Sequence, residues 1–141
     1  YQTTNSAESL RLAINNARGD KIFFIHGDLI FNTETFKNLD FSRSFVIIDS
    51  QNQIREDEVG VTIVGNKATF FSYGLESKWC QMAYIRGKEF SILKSLYNKT
   101  GKDKLYTFEM LNMIIDKKGT LITVEPENMY IKEIDSFKDL P

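Results

Sequence analysis

Apolar and polar positions alternate along this chain in two rhythms, one helical and one of strands. Leu10, Ala13, Ile14 and Ala17 recur at helical spacing behind Asn5-Ser6-Ala7-Glu8, where Asn5 is placed to cap and Glu8 follows three residues on; Gly19 supplies a stop. This predicts a helix of about three turns lying on a sheet. Ile22 to Ile25 then form an unbroken β-branched and aromatic run, the pattern of a strand buried on both faces of a largely parallel sheet. Gly27 lets the backbone turn, and Asp28 follows at once. Leu29-Ile30-Phe31 keeps the chain apolar until Thr33, which can cap a short helix carrying Phe36 and Leu39 inward. Residues 44–48 read as the next buried strand, again ending on an acid, Asp49.

Residues 50–58 are polar and mixed in charge, as in a surface loop. Val59, Val61 and Ile63 alternate with their neighbours up to Gly65-Asn66, and Ala68 to Ser72 returns, which predicts an antiparallel hairpin inserted beside the parallel sheet. Residues 78–85 predict a strand whose mixed polar and apolar positions suit the lining of a cleft. Two helices follow, one from Lys88 with Phe90, Leu93, Leu96 and Tyr97 inward, the other at about residues 105–118 and ended by Gly119. Residues 121–125 form a strand, Pro126 interrupts, and residues 129–131 form a short last strand before Ser136, a cap for a final helix. The expected class is α/β: a mostly parallel central sheet, helices on both faces and a hairpin insertion.

Composition narrows the setting. A chain of 141 residues fits one domain and buries a core without disulfides. Eleven Phe and six Tyr against two Pro supply core material and little linker. The net charge of -1, without any block of Lys or Arg, argues against nucleic acid as a partner. Cys80 is the single cysteine and is read as a small core residue; with no secretory segment and no apolar run long enough for a bilayer, the expected setting is cytoplasmic and away from membranes. There is no initiator Met, and the chain enters its first helix as though an upstream strand had been removed.

Asp28 and Asp135 each follow a predicted strand. In open α/β sheets ligands bind at the carboxyl ends of strands, and carboxylates gathered at one edge are a common way to hold Mg²⁺, which keeps several waters and takes one or two protein carboxylates plus substrate phosphates. An Asp after a strand is also an ordinary turn former or cap.

Ile25-His26-Gly27-Asp28 with Phe31-Asn32 behind it, the ending Glu133-Ile134-Asp135-Ser136-Phe137-Lys138-Asp139-Leu140, and the entry Thr4-Asn5-Ser6-Ala7-Glu8-Ser9-Leu10 together resemble the nucleotidyltransferase superfamily. The branch they resemble includes phosphocholine, phosphonate and sugar-phosphate cytidylyltransferases. The resemblance implies a nucleotide-diphospho-sugar transferase-like fold and one domain over residues 1–141, lacking its N-terminal Gly-rich nucleotide-binding segment. It implies that Asp28 and Asp135 bind Mg²⁺ and are the catalytic carboxylates, that a nucleoside triphosphate, CTP favoured, donates its nucleotidyl group to a phosphorylated alcohol, phosphonate or sugar, and that pyrophosphate leaves. Asn5 and Ser9 match the segment beside base and sugar, although capping accounts for Asn5 unaided. Glu109 matches the approach to the acceptor, where an exposed helical Glu is otherwise simply solvated. Lys78 and Gln81 are candidates to face the acceptor phosphate, with plain solvent exposure as the alternative.

The sequence departs from the family in two places. No Gly-rich loop with Arg precedes a helix, and Tyr73 stands where members often carry Lys. The rival readings are a degenerate domain that binds a nucleotide or metabolite without turnover, and a metal-dependent glycosyltransferase, against which the Leu29-Ile30 that follows Asp28 in place of Asp-x-Asp argues. Self-association is expected to cover sheet surface left bare by a missing layer. His26 is read as a strand-end residue holding a local contact rather than as a general base.

Overall fold

A computed structural model describes residues 6–98 and 105–134 of the chain. Helix α1 (Ser6–Asn16) leads into β1 (Lys21–Ile25), β2 (Leu29–Phe31) and a 3-10 turn (Thr33–Phe36). Strands β3 (Phe45–Asp49), β4 (Val59–Val64), β5 (Lys67–Tyr73) and β6 (Ser77–Arg86) follow, then α2 (Gly87–Tyr97), α3 (Thr107–Asp116), β7 (Ile122–Val124) and β8 (Ile131–Glu133). No helix of the described residues is long and apolar enough to cross a membrane.

The main sheet has the order β1-β6-β3-β7-β5-β4, and β6 also pairs with β4, so β6, β3, β7, β5 and β4 close into a ring of paired strands to which β1 is attached. The pairings set the directions: β1, β3, β4 and β7 run one way, β5 and β6 the other. The sheet is thus mostly parallel in strand direction. Its one parallel hydrogen-bonded pair among the described residues is β3–β7, because β6 lies between β1 and β3 and opposes both. Among the described residues β1 pairs with β6 alone, so the run Ile22 to Ile25 is half-exposed rather than buried on both faces.

Alternation along the strands serves two cores. Val46 and Ile48 of β3, with Trp79, Ala83 and Ile85 of β6, face the three α-helices, which also pack on one another. Phe45 and Ile47, with Cys80, Met82 and Tyr84, face the other way. Helices thus cover one face. The second face carries the 3-10 turn with Phe36, then Leu39, the β2–β8 ribbon and an aromatic set around Phe23, whose ring meets those of Phe36, Phe41, Phe45 and Tyr84 edge-on. Each large apolar side chain buried in either core contributes about 1.5–3 kcal/mol.

Two further features position the site. Between Val46↔Ala83 and Ile48↔Trp79, β3 advances two residues while β6 advances four, leaving a bulge centred on Gln81, whose φ is 59°. An even offset preserves the in-and-out alternation on both sides of the bulge. The second is the β2–β8 ribbon, which the apolar run 29–31 gave no sign of and which ends one residue pair short of Asp28: the Ile134 N–H donates to the Asp28 carbonyl at 2.8 Å. The last described strand is Ile131–Glu133 rather than residues 129–131. Asn32, not Thr33, caps the 3-10 turn; its Oδ1 accepts from the Thr35 N–H, the Thr35 hydroxyl and the Tyr130 N–H, while its Nδ2 donates to the Asn128 carbonyl. The helix expected after Ser136 lies outside the described residues.

Candidate active site

Asp28 sits where the chain leaves β1 and enters β2, exposed, at the carboxyl end of the strand. It lines a groove of about 600 Å³ that runs between β1 and α1, with Ser9 on the opposite wall and Gly27 beside it. The fold brings these two sequence candidates together. Asn5 and Asp135 lie outside the described residues, although the Ile134 contact carries the chain to the Asp28 backbone one residue before Asp135.

Beyond His26 the groove continues into a second cleft of about 220 Å³; His26, Ser6 and Thr107 line both. The Thr107 N–H and hydroxyl donate to the Ser6 Oγ at 3.0 and 2.8 Å, so the starts of α1 and α3 are tied together at this junction. Gln81 lines the cleft from the bulge. Its left-handed backbone is uncommon for a side-chain-bearing residue and costs on the order of 1 kcal/mol, a strain of the kind found at ligand sites. The His26 imidazole stands edge-on to Trp79 at 5.6 Å, and its Nε2 is buried without a hydrogen-bond partner among the described residues. Burial pushes its pKa down; the Asp28 charge, the Gln81 side chain and the Glu133 charge pull upward without reversing the shift, so the ring is neutral at pH 7.

The cleft has an aromatic side that sequence reasoning missed. Tyr73, Tyr106 and Phe108 line it, Tyr73 edge-on to Phe108 at 5.5 Å and Tyr106 stacked on Phe108 at 6.0 Å. Tyr73 and Tyr106 are about half exposed, so large rings face solvent rather than core. Phe90 of α2 is core, whereas Phe108 of α3, at helical spacing with Leu111 and Ile115, is only partly buried. Asp57, Glu58 and Glu133 bring carboxylates to the same cleft, and Arg55 a guanidinium. The available signals were Tyr73 at a family Lys position and two aromatics straddling Thr107 at the start of a helix.

Two candidates have other partners. The Lys78 ammonium is held by the Glu58 carboxylate and lines neither the groove nor the cleft. Burial raises the Glu58 pKa, but the Arg55 N–H and the bond and charge of Lys78 outweigh it and leave the carboxyl below its ordinary value. The Glu109 carboxylate accepts the Tyr106 N–H at 2.7 Å and caps α3. Cys80 is buried, and burial pushes its thiol up to about 12, which makes it inert as a nucleophile.

Among the described residues no three His, Cys, Asp or Glu side chains converge as a metal cage. Mg²⁺ does not need one: a single exposed carboxylate at a strand end, with water and phosphate oxygens completing the shell, fits its chemistry, and Asp28 provides it.

No family model and no curated protein matches the chain by sequence. Solved structures do. The chain is similar to the inositol-1-phosphate CTP transferase from T. maritima, with a TM-score of 0.76 at 18% identity over 98% of this chain and 58% of that one. It is similar to the CTP:phosphocholine cytidylyltransferase from Streptococcus pneumoniae, with a TM-score of 0.72 at 20% identity over 96% of this chain and 60% of that one. This is the nucleotidyltransferase fold. A nucleoside-diphosphate-sugar pyrophosphorylase from Vibrio cholerae RC9 shares it at a TM-score of 0.67 and 12% identity, over 92% and 61% of the two chains. The chain spans about three-fifths of the length of each of these nucleotidyltransferase-fold proteins.

Proposed function

We propose that the groove and cleft serve Mg²⁺-dependent transfer of a nucleotidyl group, cytidylyl favoured, from a nucleoside triphosphate to a small phosphorylated alcohol or phosphonate, with release of pyrophosphate. The observation that carries this reading is the continuity of the two cavities: Asp28 and Ser9 line one, Gln81 the other, and His26, Ser6 and Thr107 line both. A two-substrate displacement needs that arrangement, since the attacking oxygen has to lie in line behind the α-phosphorus.

In this reading the Asp28 carboxylate holds the ion, with Asp135 as its partner, and bound Mg²⁺ supplies neutralisation of the phosphate charge. Ser9 contacts the nucleoside, and the Gln81 amide positions the acceptor phosphate. An acceptor phosphate is already ionised near neutral pH, so the neutral His26 orients Gln81 and excludes water rather than removing a proton. The cleft is smaller than the ~300 Å³ at which sites for drug-sized ligands begin, which favours a small head group. Aromatic walls beside the Glu133 carboxylate, with Asp57 and Glu58 already paired to Arg55 and Lys78, favour one that carries an amine or quaternary ammonium.

A second reading, binding without turnover, is favoured by Tyr73 in the cleft wall, at a position where the resembled family often carries Lys. The experiment mixes the chain with Mg²⁺, each of the four nucleoside triphosphates, and phosphocholine, phosphoethanolamine, aminoethylphosphonate or sugar phosphates, and measures pyrophosphate. Release that needs all three components, and that falls about a hundredfold in Asp28→Asn, supports transfer. Saturable binding without pyrophosphate supports the second reading, and neither signal removes both.

A further inference from the structure

At the other end of the same strands lies a cavity of about 430 Å³ with the opposite charge. It opens where β3 and β7 begin and β6 ends, away from Asp28, Asp49 and Glu125 at the far ends of β1, β3 and β7. Arg43, Lys67, Arg86 and Lys88 line it against one acid, Glu89, and both oxygens of that acid are engaged: Oε1 accepts the Thr120 N–H at 2.9 Å and Oε2 the Ser44 hydroxyl at 3.2 Å. Arg86 spends one guanidinium N–H on the Phe41 carbonyl at 2.9 Å, and Lys88 donates to the Lys118 carbonyl at 2.7 Å, so both are held in place with donors to spare. Among the described residues the Arg43 guanidinium has the Asp40 charge nearby and the Lys67 ammonium extends from the start of β5, both residues exposed.

Four cations around one cavity repel one another, in a chain whose overall charge is -1, and two acids answer them: Glu89 on the wall, and Asp40, whose carboxylate acts on Arg43 and Arg86. We propose that this cavity binds a small multiply charged oxyanion, a phosphate or phosphate ester, at a site separate from the reaction groove. A dianion suits the excess of positive charge, and the two guanidinium forks match the paired oxygens of a phosphate.

The test is a titration of the full, isotope-labelled chain with inorganic phosphate at ionic strength held constant with sodium chloride, read from amide chemical shifts. The expected result is saturable movement at Ser44, Lys88, Glu89 and Thr120, while Gly27, Asp28 and Gln81 stay in place. In the exposed double variant Arg43→Ala/Lys67→Ala, whose folding is checked by its thermal transition, binding weakens by about tenfold or more; Lys67→Gln alone gives a smaller loss. Shifts that chloride reproduces, shifts confined to the Asp28 end, no saturation, or unchanged affinity in the double variant would each overturn the proposal.

Discussion

The backbone N–H of His26 donates to the carbonyl of Gln81 at 3.2 Å, just past the Ile25↔Met82 pair that ends the β1–β6 ladder. That bond holds the bulge against the end of β1 and places both residues in the cleft. The left-handed Gln81 backbone gives a prediction with opposite signs. Gln81→Val, which puts a β-branched side chain at φ 59°, is expected to lower stability by about 2 kcal/mol, while Gln81→Gly leaves it within about 1 kcal/mol of the parent. Urea unfolding checks both, and an equal loss in the two variants would show that the bulge is not strained.

His26 predicts a pH dependence. Its folded pKa lies below the ordinary 6.5, so between those two values the unfolded chain carries more protons than the folded one. Stability therefore rises with pH through that window, is fully gained above 6.5, and is lost as pH falls through the folded pKa. Unfolding free energies measured from pH 5 to 8 are expected to lose part of this slope in His26→Gln; identical slopes would contradict the burial assigned to the ring.

Lys78→Met should destabilise by about 1–3 kcal/mol, because Glu58, with a side chain only 9% exposed, would keep its charge without the ammonium. The double change Lys78→Met/Glu58→Gln is expected to recover part of that loss. Thermal or urea unfolding of these two variants and of Glu58→Gln alone completes the cycle, and additive effects would mean the pair is not coupled.

Asn32→Ala removes two hydrogen bonds that cap the 3-10 turn and two more that fasten the end of β2 to the approach of β8. A loss of about 2–3 kcal/mol is expected. Amide exchange should quicken first at Thr35, Tyr130 and Ile134, which separates ribbon detachment from general unfolding.

Gly60 is packed so closely that a Cβ there would lie 2.7 Å from the Leu75 Cβ and 2.8 Å from its carbonyl oxygen. Gly60→Ala should cost about 1–3 kcal/mol, read as a fall in the thermal transition, since backbone rather than a flexible tip has to give way.

Much of this was legible in the sequence, for identifiable reasons. Helical spacing of Leu10 and Ile14, of Phe90 and Leu93 and of Leu111 and Ile114 reports a buried face, and each lies in the core beneath the helices. The position of Asp28 just past a strand end was legible because Gly-Asp after an apolar run marks where a strand stops. The neighbours of β1 were not: an apolar run gives burial without naming the partner, and the partner is β6, more than fifty residues later. Lys78 looked free because its counter-charge, Glu58, reaches it only through the pairing of β4 with β6. The basic cavity left no trace for a similar reason. Arg43, Lys67, Arg86 and Lys88 are dispersed in the chain and meet only where strands begin and end. The aromatic wall was hidden by periodicity itself, since Phe108 sits at helical spacing with true core residues.

Among the described residues every member of the ring of paired strands has a neighbour on each side, and β1 alone keeps an unpaired edge in the main sheet. That edge displays Ile22-Phe23-Phe24-Ile25, a run of high β propensity with Lys21 as the only charge beside it. Growth of the sheet by another polypeptide, whether as ordered assembly or as fibril seeding, has to start there. A second lysine at Ile25, which is 37% exposed, would act as a gatekeeper and raise the concentration at which the chain stays dispersed.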